Sequence, residues 1–341
     1  MSFYYAGFNA CTLFSDDGDV DYTVDSFTEI SFAGLTDFQI GWSYFLLWKG
    51  RELYICKKTE EGDTITELLQ IPDNPLNSCK SAVAGKDNIV ILSNQNEFWQ
   101  YMVYEHNGFW KKVTNFIPSN DDSIKEHPVK VLRAGCTVVL TNLGRVFNAP
   151  TLVEMPKRVK FIDIACGFDH TILLSESGDV YSMGIGTRGQ LGHNDLEDCD
   201  NPTLIEALAG LKVVCISAQG WHSAVVTDQG DLYTWGWNTN SELGLPNMES
   251  KVVAVPTLIN FTDDQNESVE IFVKKVECGN TFTICVTDDG TFWGCGCNKY
   301  GQLGQSGEAL QSSSKFIKLE IPGTIAVKDF RCREWGTLLL T

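Results

Sequence analysis

Two histidines, His170 and His222, stand at the same position of a repeated pattern and are the first candidates for chemistry. A histidine that acts as a general base needs a nucleophile beside it and an acidic group that orients its ring. No such combination recurs around either of them. The pattern therefore predicts structural histidines, each hydrogen-bonded within its own blade of sheet, and no catalytic residues.

A glycine-rich segment from Gly184 to Gly189 matches the G-x-G-x-x-G pattern of dinucleotide-binding loops. That function requires a helix directly after the glycines, because the helix N-terminus holds the pyrophosphate. Here the pattern leads into Gln-Leu-Gly, and the equivalent segment of the next copy reads GWNTNS. The sequence therefore predicts a loop that holds no nucleotide, and we expect no cofactor.

Twelve cysteines raise the question of metal or disulfide chemistry. Structural zinc sites use cysteine pairs with two residues between them, and the chain has no such pair; the nearest is Cys295-x-Cys297. Cys166, Cys215 and Cys285 lie in segments typical of strands. We therefore expect buried, reduced thiols that pack as small apolar side chains, and no metal site.

Tryptophans at equivalent turns form the last group of candidates. Trp42, Trp221 and Trp335 come just before the histidine position of their repeats, where Asp169 stands in another copy. Equivalent turns of a ring of repeats project from one face, so the three indoles would surround one mouth of its channel. Exposed clustered indoles favour a partner interface, whereas indoles packed between neighbouring repeats would be structural. Both alternatives remain open at the level of sequence.

Three copies of one pattern carry these residues. They read ACGFDHTILLSESGDVYSMGIGTRGQLG, SAQGWHSAVVTDQGDLYTWGWNTNSELG and ECGNTFTICVTDDGTFWGCGCNKYGQLG. Glycine recurs 8 and 14 residues after the aligned His170, His222 and Phe282, and each copy ends in Leu-Gly. Short β-branched segments before and after the first glycine predict antiparallel strands, with that glycine in a turn that needs positive φ. A unit of this length that repeats is typical of a propeller.

The two ends of the chain supply one further repeat. FYYAGFN at residues 3–9 matches the second half of a unit, and residues 327–341 match a front half. Less regular copies occupy residues 38–58, 81–104 and 129–149. The total of seven predicts an all-β, seven-bladed β-propeller as a single domain. We expect a closing blade from residues 1–10 and 325–341, three degenerate blades in 30–150 and three well-formed repeats in 159–320.

Composition restricts the partners. The net charge of −18 argues against DNA phosphates or an acidic membrane as the main surface bound, and permits a basic partner. No apolar run is long enough for a transmembrane helix, and the first residues lack the basic and apolar regions of a secretory signal. We therefore expect a nuclear or cytoplasmic protein.

These motifs resemble the regulator of chromosome condensation repeat family, whose members are seven-bladed propellers closed by a blade shared between the two ends. The resemblance is most specific from Phe161 to Gly304, above all in AQGWHSAVVTDQGDLYTWGWN, and it extends to Trp42 in GWSY and Trp335 in EWGT. It implies a non-enzymatic, chromatin-associated protein of the nucleus. The implied partner is a JmjC-domain lysine demethylase or oxygenase, with indirect contact to histones.

The same family includes the nucleotide exchange factor of the small GTPase Ran. Guanine-nucleotide exchange is therefore the alternative function that the resemblance implies. This sequence departs from that exchange factor because it is acidic, lacks a basic N-terminal tail and has irregular early repeats. For either function we expect Trp42, Asp169, Trp221 and Trp335 to bind the partner.

Overall fold

A computed structural model describes residues 2–11, 13–14, 22–59, 61–104, 109–113, 126–246, 248, 250–263, 265–323 and 326–341. Its strands, in chain order, are β1 Phe3–Phe8, β2 Thr23–Glu29, β3 Asp37–Ile40, β4 Tyr44–Lys49, β5 Glu52–Lys58, β6 Thr64–Leu68, β7 Cys79–Ala84, β8 Asn88–Ser93, β9 Phe98–Met102, β10 Phe109–Val113, β11 Pro128–Ala134, β12 Cys136–Thr141, β13 Val146–Asn148, β14 Thr151–Leu152, β15 Phe161–Cys166, β16 His170–Ser175, β17 Val180–Gly184, β18 Cys199–Leu204, β19 Val213–Gln219, β20 His222–Thr227, β21 Leu232–Trp237, β22 Val252–Leu258, β23 Val273–Cys278, β24 Phe282–Thr287, β25 Phe292–Cys297, β26 Ser312–Lys318, β27 Asp329–Arg333 and β28 Gly336–Leu340. A single helical turn, Glu206–Leu208, is of the 3-10 type. Nothing helical in the described part of the chain has the length and hydrophobicity that crossing a membrane requires.

The strands form seven antiparallel sheets of four, which is the fold class of a seven-bladed β-propeller predicted above. They belong to two compact units. The first unit, residues 9–22 and 29–153, holds sheets β3–β6, β7–β10 and β11–β14. The second unit, residues 2–8, 23–28 and 154–341, holds β15–β18, β19–β22, β23–β26 and a sheet of order β27-β28-β1-β2. The three irregular repeats therefore share one unit.

The last of these sheets joins the two ends of the chain, as the sequence predicted. Strand β1 pairs with β28 in antiparallel register, with Phe3 opposite Leu340 and Gly7 opposite Gly336. The C-terminal half-repeat supplies β27 and β28, and the N-terminal half-repeat supplies β1. The fourth strand, β2, lies beyond residues 1–10, the range predicted from the sequence for the N-terminal part of this blade. Because β1 covers the edge of β28, neither strand leaves its backbone hydrogen bonds open.

In each sheet the fraction of buried side chains decreases from the second strand to the fourth. All six side chains of β16 and of β20 are buried, whereas β14 is exposed and β10 is largely exposed. The second strands are buried on both faces because apolar clusters fill the space between neighbouring sheets of the second unit. One such cluster joins Ile172 and Leu174 of β16 to Val225 and Trp235 of the next sheet. Apolar burial of this kind is the main stabilising contribution to the sheets.

Glycine positions of the repeat are explained by backbone conformation. The turn glycines Gly178, Gly230 and Gly290 all have positive φ, as predicted. At Gly236 the φ is 109°, and a Cβ would lie 2.5 Å from the carbonyl oxygen of Trp221. A side chain there would strain the backbone and separate β21 from the turn before β20.

Candidate functional site

The repeated histidines link neighbouring sheets of the second unit. His170 Nε2 lies 2.8 Å from Ser223 Oγ, and His222 Nε2 lies 2.9 Å from Thr283 Oγ1. The prediction that each histidine bonds within its own blade is therefore wrong, because each partner belongs to the following sheet. Burial lowers the pKa of both rings to about 3, so they are neutral near pH 7. Both rings therefore contribute buried contacts between neighbouring sheets.

The hydroxyl partners continue the link to a buried loop. Thr283 Oγ1 donates to the Glu242 carbonyl at 2.6 Å, and Ser223 Oγ donates to the Gln190 carbonyl at 3.3 Å. Glu242 itself is a carboxylic acid at a position where the other two repeats carry Gln190 and Gln302. Its side chain is 2% exposed, and burial raises its pKa to about 7. The carboxyl accepts a hydrogen bond from the Asn240 backbone N–H at 2.6 Å.

The cysteines and the glycine-rich segment were the other candidates that the sequence offered. Cys166, Cys285 and Cys295 are buried as expected, and Cys215 is partly buried with a pKa raised to about 11 by burial. Such thiols stay protonated and unreactive. Across the described ranges no three His, Cys, Asp or Glu side chains are placed to share a metal ion. The glycine-rich segment leaves β17 and enters a loop, as predicted, because no helix follows Gly189.

A row of turns forms one edge of the second unit, at the end where the first strand of each sheet leads into the second. The Phe168 N–H donates to the Gly220 carbonyl at 2.8 Å, and the Asn280 N–H donates to the Glu334 carbonyl at 2.7 Å. Buried side chains reinforce the row, since the Gln219 amide donates to Asn280 at 3.0 Å and the Asn280 amide donates to Glu334 at 2.9 Å. We call this edge the turn row. Burial raises the pKa of Glu334.

Trp221 lies at the centre of an aromatic cluster on the turn row. Its indole Nε1 donates to Asp169 Oδ2 at 3.0 Å, and the Phe168 ring meets it edge-on with centroids 5.0 Å apart. The Arg188 guanidinium lies 4.1 Å from the Trp221 ring centroid and 5.6 Å from that of Trp237. All five side chains are partly buried. We call them the first cluster.

Trp335 lies at the centre of a second cluster, formed with Phe8 and Tyr300. The Phe8 and Tyr300 centroids are 5.0 Å apart, and Trp335 lies 6.2 Å from Phe8 and 6.4 Å from Tyr300. These three side chains are also partly buried. Between the two clusters, the same repeat positions carry the small or polar residues Asn240, Thr281 and Cys297. The turn row therefore presents two aromatic clusters separated by a smaller surface.

Trp42 belongs to the first unit. It is partly buried in the turn between β3 and β4, and the Lys86 ammonium lies 5.6 Å from its ring centroid. A lysine over an indole face is a favourable electrostatic contact. The indole is thus supported by its neighbours in its own unit, as Trp221 is in the second.

The structure combines the two alternatives left open for the tryptophans. Trp221 and Trp335 each pack against the preceding sheet and still reach the surface. Asp169 fixes an indole instead of lying free on the surface. Arg188 and Tyr300 were not predicted from the sequence, although both directly precede an aligned repeat glycine, Gly189 or Gly301. The residue before that glycine contacts the tryptophan of the next turn in both clusters.

Comparison with known families identifies the repeats. Profiles described as "Regulator of chromosome condensation (RCC1) repeat" match residues 177–226 and 229–286 in one form, and residues 161–190, 213–242 and 273–302 in another. The matches fall on the three regular sheets of the second unit. The repeat resemblance seen in the sequence is therefore confirmed over these residues.

The chain is similar to individual proteins over segments of different length. The human E3 ubiquitin-protein ligase HERC2 is 38% identical over 164 residues, which are 47% of this chain and 3% of the ligase. Human RCC1 domain-containing protein 1 is 30% identical over 220 residues, covering 56% of this chain and 58% of that protein. The chain thus spans less than two thirds of both relatives.

Among solved structures, Prp20p from Saccharomyces cerevisiae superposes with a TM-score of 0.75 at 17% identity. The superposition covers 99% of this chain and 90% of the yeast chain. The yeast structure is described together with its binding properties to Gsp1p and histones. At this level of identity, the similarity establishes the fold that the two chains share.

Proposed function

We propose that this chain, which carries regulator of chromosome condensation (RCC1) repeats between residues 161 and 302, is a protein-binding module. In this proposal the turn row contacts the partner. The observation that carries this proposal is the pair of partly exposed aromatic clusters on one edge of the second unit. Tryptophan, tyrosine and arginine are the residues that most often dominate binding energy at protein interfaces.

The rigidity of the clusters supports the same function. Trp221 is held by a hydrogen bond to Asp169 and by the ring of Phe168, while Trp335 is held between Phe8 and Tyr300. Side chains ordered before binding lose little conformational entropy when a partner arrives. The buried polar side chains of Gln219, Asn280 and Glu334 keep the turns themselves in place. The turn row is therefore preorganised for contact.

For the partner we propose a JmjC-domain lysine demethylase, the class that the sequence resemblance implies. The same proposal places the chain at chromatin in the nucleus, through the partner and without direct DNA contact. The net charge of −18 supports the last point, because nucleic-acid backbones attract clustered cations. In this proposal Trp42, Asp169, Trp221 and Trp335 contribute to binding, with Asp169 acting through the indole that it orients.

The test is affinity purification of the tagged chain from its own cells, with bound proteins quantified by mass spectrometry. The test variant carries Trp221→Ala and Trp335→Ala. Loss of one interface tryptophan typically costs about 2 kcal/mol, or about thirtyfold in Kd, so recovery of the demethylase should fall by at least tenfold. A matched control carries Val214→Ala and Phe272→Ala. Val214 and Phe272 are 51% and 47% exposed and lie at the ends of β19 and β23 that are farthest from the turn row.

The outcomes separate the face from the partner. Equal recovery of a demethylase by the wild type and the tryptophan variant would reject the turn row but keep the partner. If no JmjC protein is recovered but another protein is lost only with the tryptophan variant, the turn row stands and the partner class is wrong. Circular dichroism of both variants checks that the sheets remain folded.

Guanine-nucleotide exchange on a small GTPase is the second candidate. The fold shared with Prp20p, whose structure is described with its binding to Gsp1p, supports it. The assay follows the release of a fluorescent GDP analogue from a panel of small GTPases, with and without the chain. Faster release from one GTPase would support exchange, and unchanged release from the whole panel would remove this candidate.

A further inference from the structure

We propose that Arg188 forms a carboxylate-binding subsite on the turn row, which receives an acidic side chain of the protein partner. The inference rests on the proposed function, since it assumes that the turn row contacts a protein. It specifies the chemistry of one contact. It also differs from what the overall charge suggests, because a chain of net charge −18 would be expected to attract basic groups.

Two indole rings hold the guanidinium of Arg188 in position. Its central carbon lies 4.1 Å from the ring centroid of Trp221 and 5.6 Å from that of Trp237. Its backbone N–H donates to the buried Gln190 side chain at 2.8 Å, which fixes the loop. The indole of Trp221 is in turn held by Asp169. The arginine is therefore ordered at both its backbone and its side chain.

Among the described residues the charge of Arg188 has no ion-pair partner. In the part of the chain that the structure describes, no carboxylate oxygen lies within 4.0 Å of the Arg188 side-chain nitrogens. Asp169, the acidic residue of the first cluster, is engaged with the indole of Trp221. Within the described residues the guanidinium N–H groups make no hydrogen bond, so these donors remain available for a ligand.

The two clusters differ in the residue that stands at the position of Arg188. Tyr300 occupies the equivalent position in the second cluster, where it packs with Trp335 and Phe8. A ring at this position is sufficient for packing, as the second cluster shows. Arg188 provides the same flat surface and adds a positive charge with a planar set of donors. The first cluster thus carries a binding function that the second lacks.

The shape of the donors selects the ligand. A planar guanidinium binds a carboxylate through two parallel N–H···O bonds, and such charge-assisted bonds are among the strongest in proteins. The aromatic side chains around Arg188 suit an acidic residue that is flanked by apolar ones. A nucleic-acid ligand would need further cations beside Arg188, which the first cluster does not contain.

The experiment is selection of randomised 12-residue peptides displayed on phage, with the wild type and the variants Arg188→Gln and Trp335→Ala as targets. We expect wild-type peptides with Asp or Glu at a constant spacing from an apolar residue. Arg188→Gln keeps the length and polarity of the side chain but removes its charge. It should abolish the acidic preference and weaken synthetic copies of the selected peptides by about 10- to 100-fold. Those copies should bind more weakly in high salt.

The result that would overturn the subsite is an acidic preference that persists in Arg188→Gln, or selected peptides without acidic residues. If the peptides selected in either of these cases bind Trp335→Ala more weakly than they bind the wild type, the proposed function stands and only the carboxylate contact fails. If the wild type selects no peptide, or if Trp335→Ala and Arg188→Gln both leave selection unchanged, the turn row is rejected together with the subsite. Replacing Glu by Gln in the strongest peptide must cost as much affinity as Arg188→Gln does.

Discussion

Replacing Glu242 by glutamine should stabilise the protein at neutral and alkaline pH. Glu242 is a buried carboxylic acid at a repeat position where two other copies carry Gln190 and Gln302. Each of the three side chains accepts a hydrogen bond from a backbone N–H two residues earlier in the chain. Glutamine can keep this bond through its amide oxygen without bringing a charge into the sheet.

The magnitude follows from the pKa of the Glu242 carboxyl, which burial raises from 4.5 to about 7. In the unfolded chain the carboxyl releases its proton near pH 4.5, so between these values the folded state holds one proton more. The stability present at low pH is therefore lost as the pH rises through 7. One pKa unit corresponds to about 1.4 kcal/mol, so the ionised folded protein carries a penalty of about 3 kcal/mol. Glu242→Gln should recover most of this above pH 8.

The assay is urea unfolding of the wild type and Glu242→Gln at pH 5, 6.5 and 8. The difference in free energy of unfolding should be smallest at pH 5 and should grow toward pH 8. The buried His170 and His222 contribute the opposite trend below pH 6.5, but both proteins retain them, so their contribution cancels in the difference. Gln302→Glu is the converse control and should introduce the same loss at pH 8. Parallel pH profiles for wild type and Glu242→Gln would refute the reasoning.

Three further predictions concern the sheets. His222→Leu removes the hydrogen bond to Thr283 and should lower the free energy of urea unfolding by about 1–3 kcal/mol. The variant should also lose less stability than the wild type below pH 6.5, and an unchanged pH profile would contradict this prediction. Gly236→Ala places a Cβ 2.5 Å from the Trp221 carbonyl oxygen and should cost more than about 2 kcal/mol, so an unchanged urea midpoint would be evidence against the strain. Deletion of Ser2–Phe8 leaves β28 without its partner β1 and should lower the thermal midpoint strongly, and a truncated chain that melts like the wild type would contradict the shared sheet.

The repeat spacing predicted the second and third strands of each regular sheet, because their features are local. A buried strand, a turn glycine with positive φ and a returning strand lie within about 15 residues and recur at constant offsets. The fourth strands β18, β22 and β26 were not predicted. Each follows a loop of 14 residues (185–198, 238–251 and 298–311) and buries only one or two side chains, and β18 and β22 contain Pro202 and Pro256. A strand that buries few side chains leaves no clear alternation in the sequence.

The candidate site was predicted only in part, because its contacts join different repeats. Trp221 and Trp335 were identified from their common position, and both lie on the turn row. The contacts of Trp221 with Arg188 and of His170 with Ser223 link residues of successive sheets, 33 and 53 positions apart. Their chemistry cannot be read from one copy of the repeat. Aligning the copies shows which residues are equivalent, but not which ones meet across the gap.

The most direct measurement of the central claim is photo-crosslinking from the turn row in living cells. A benzoylphenylalanine at Thr281, which lies between the two aromatic clusters, should form a discrete crosslinked species with a partner protein. The same group at Phe272, at the opposite end of β23, should not form it. Crosslinking of the same protein from position 272 and not from position 281 would contradict the assignment of the turn row as the binding surface.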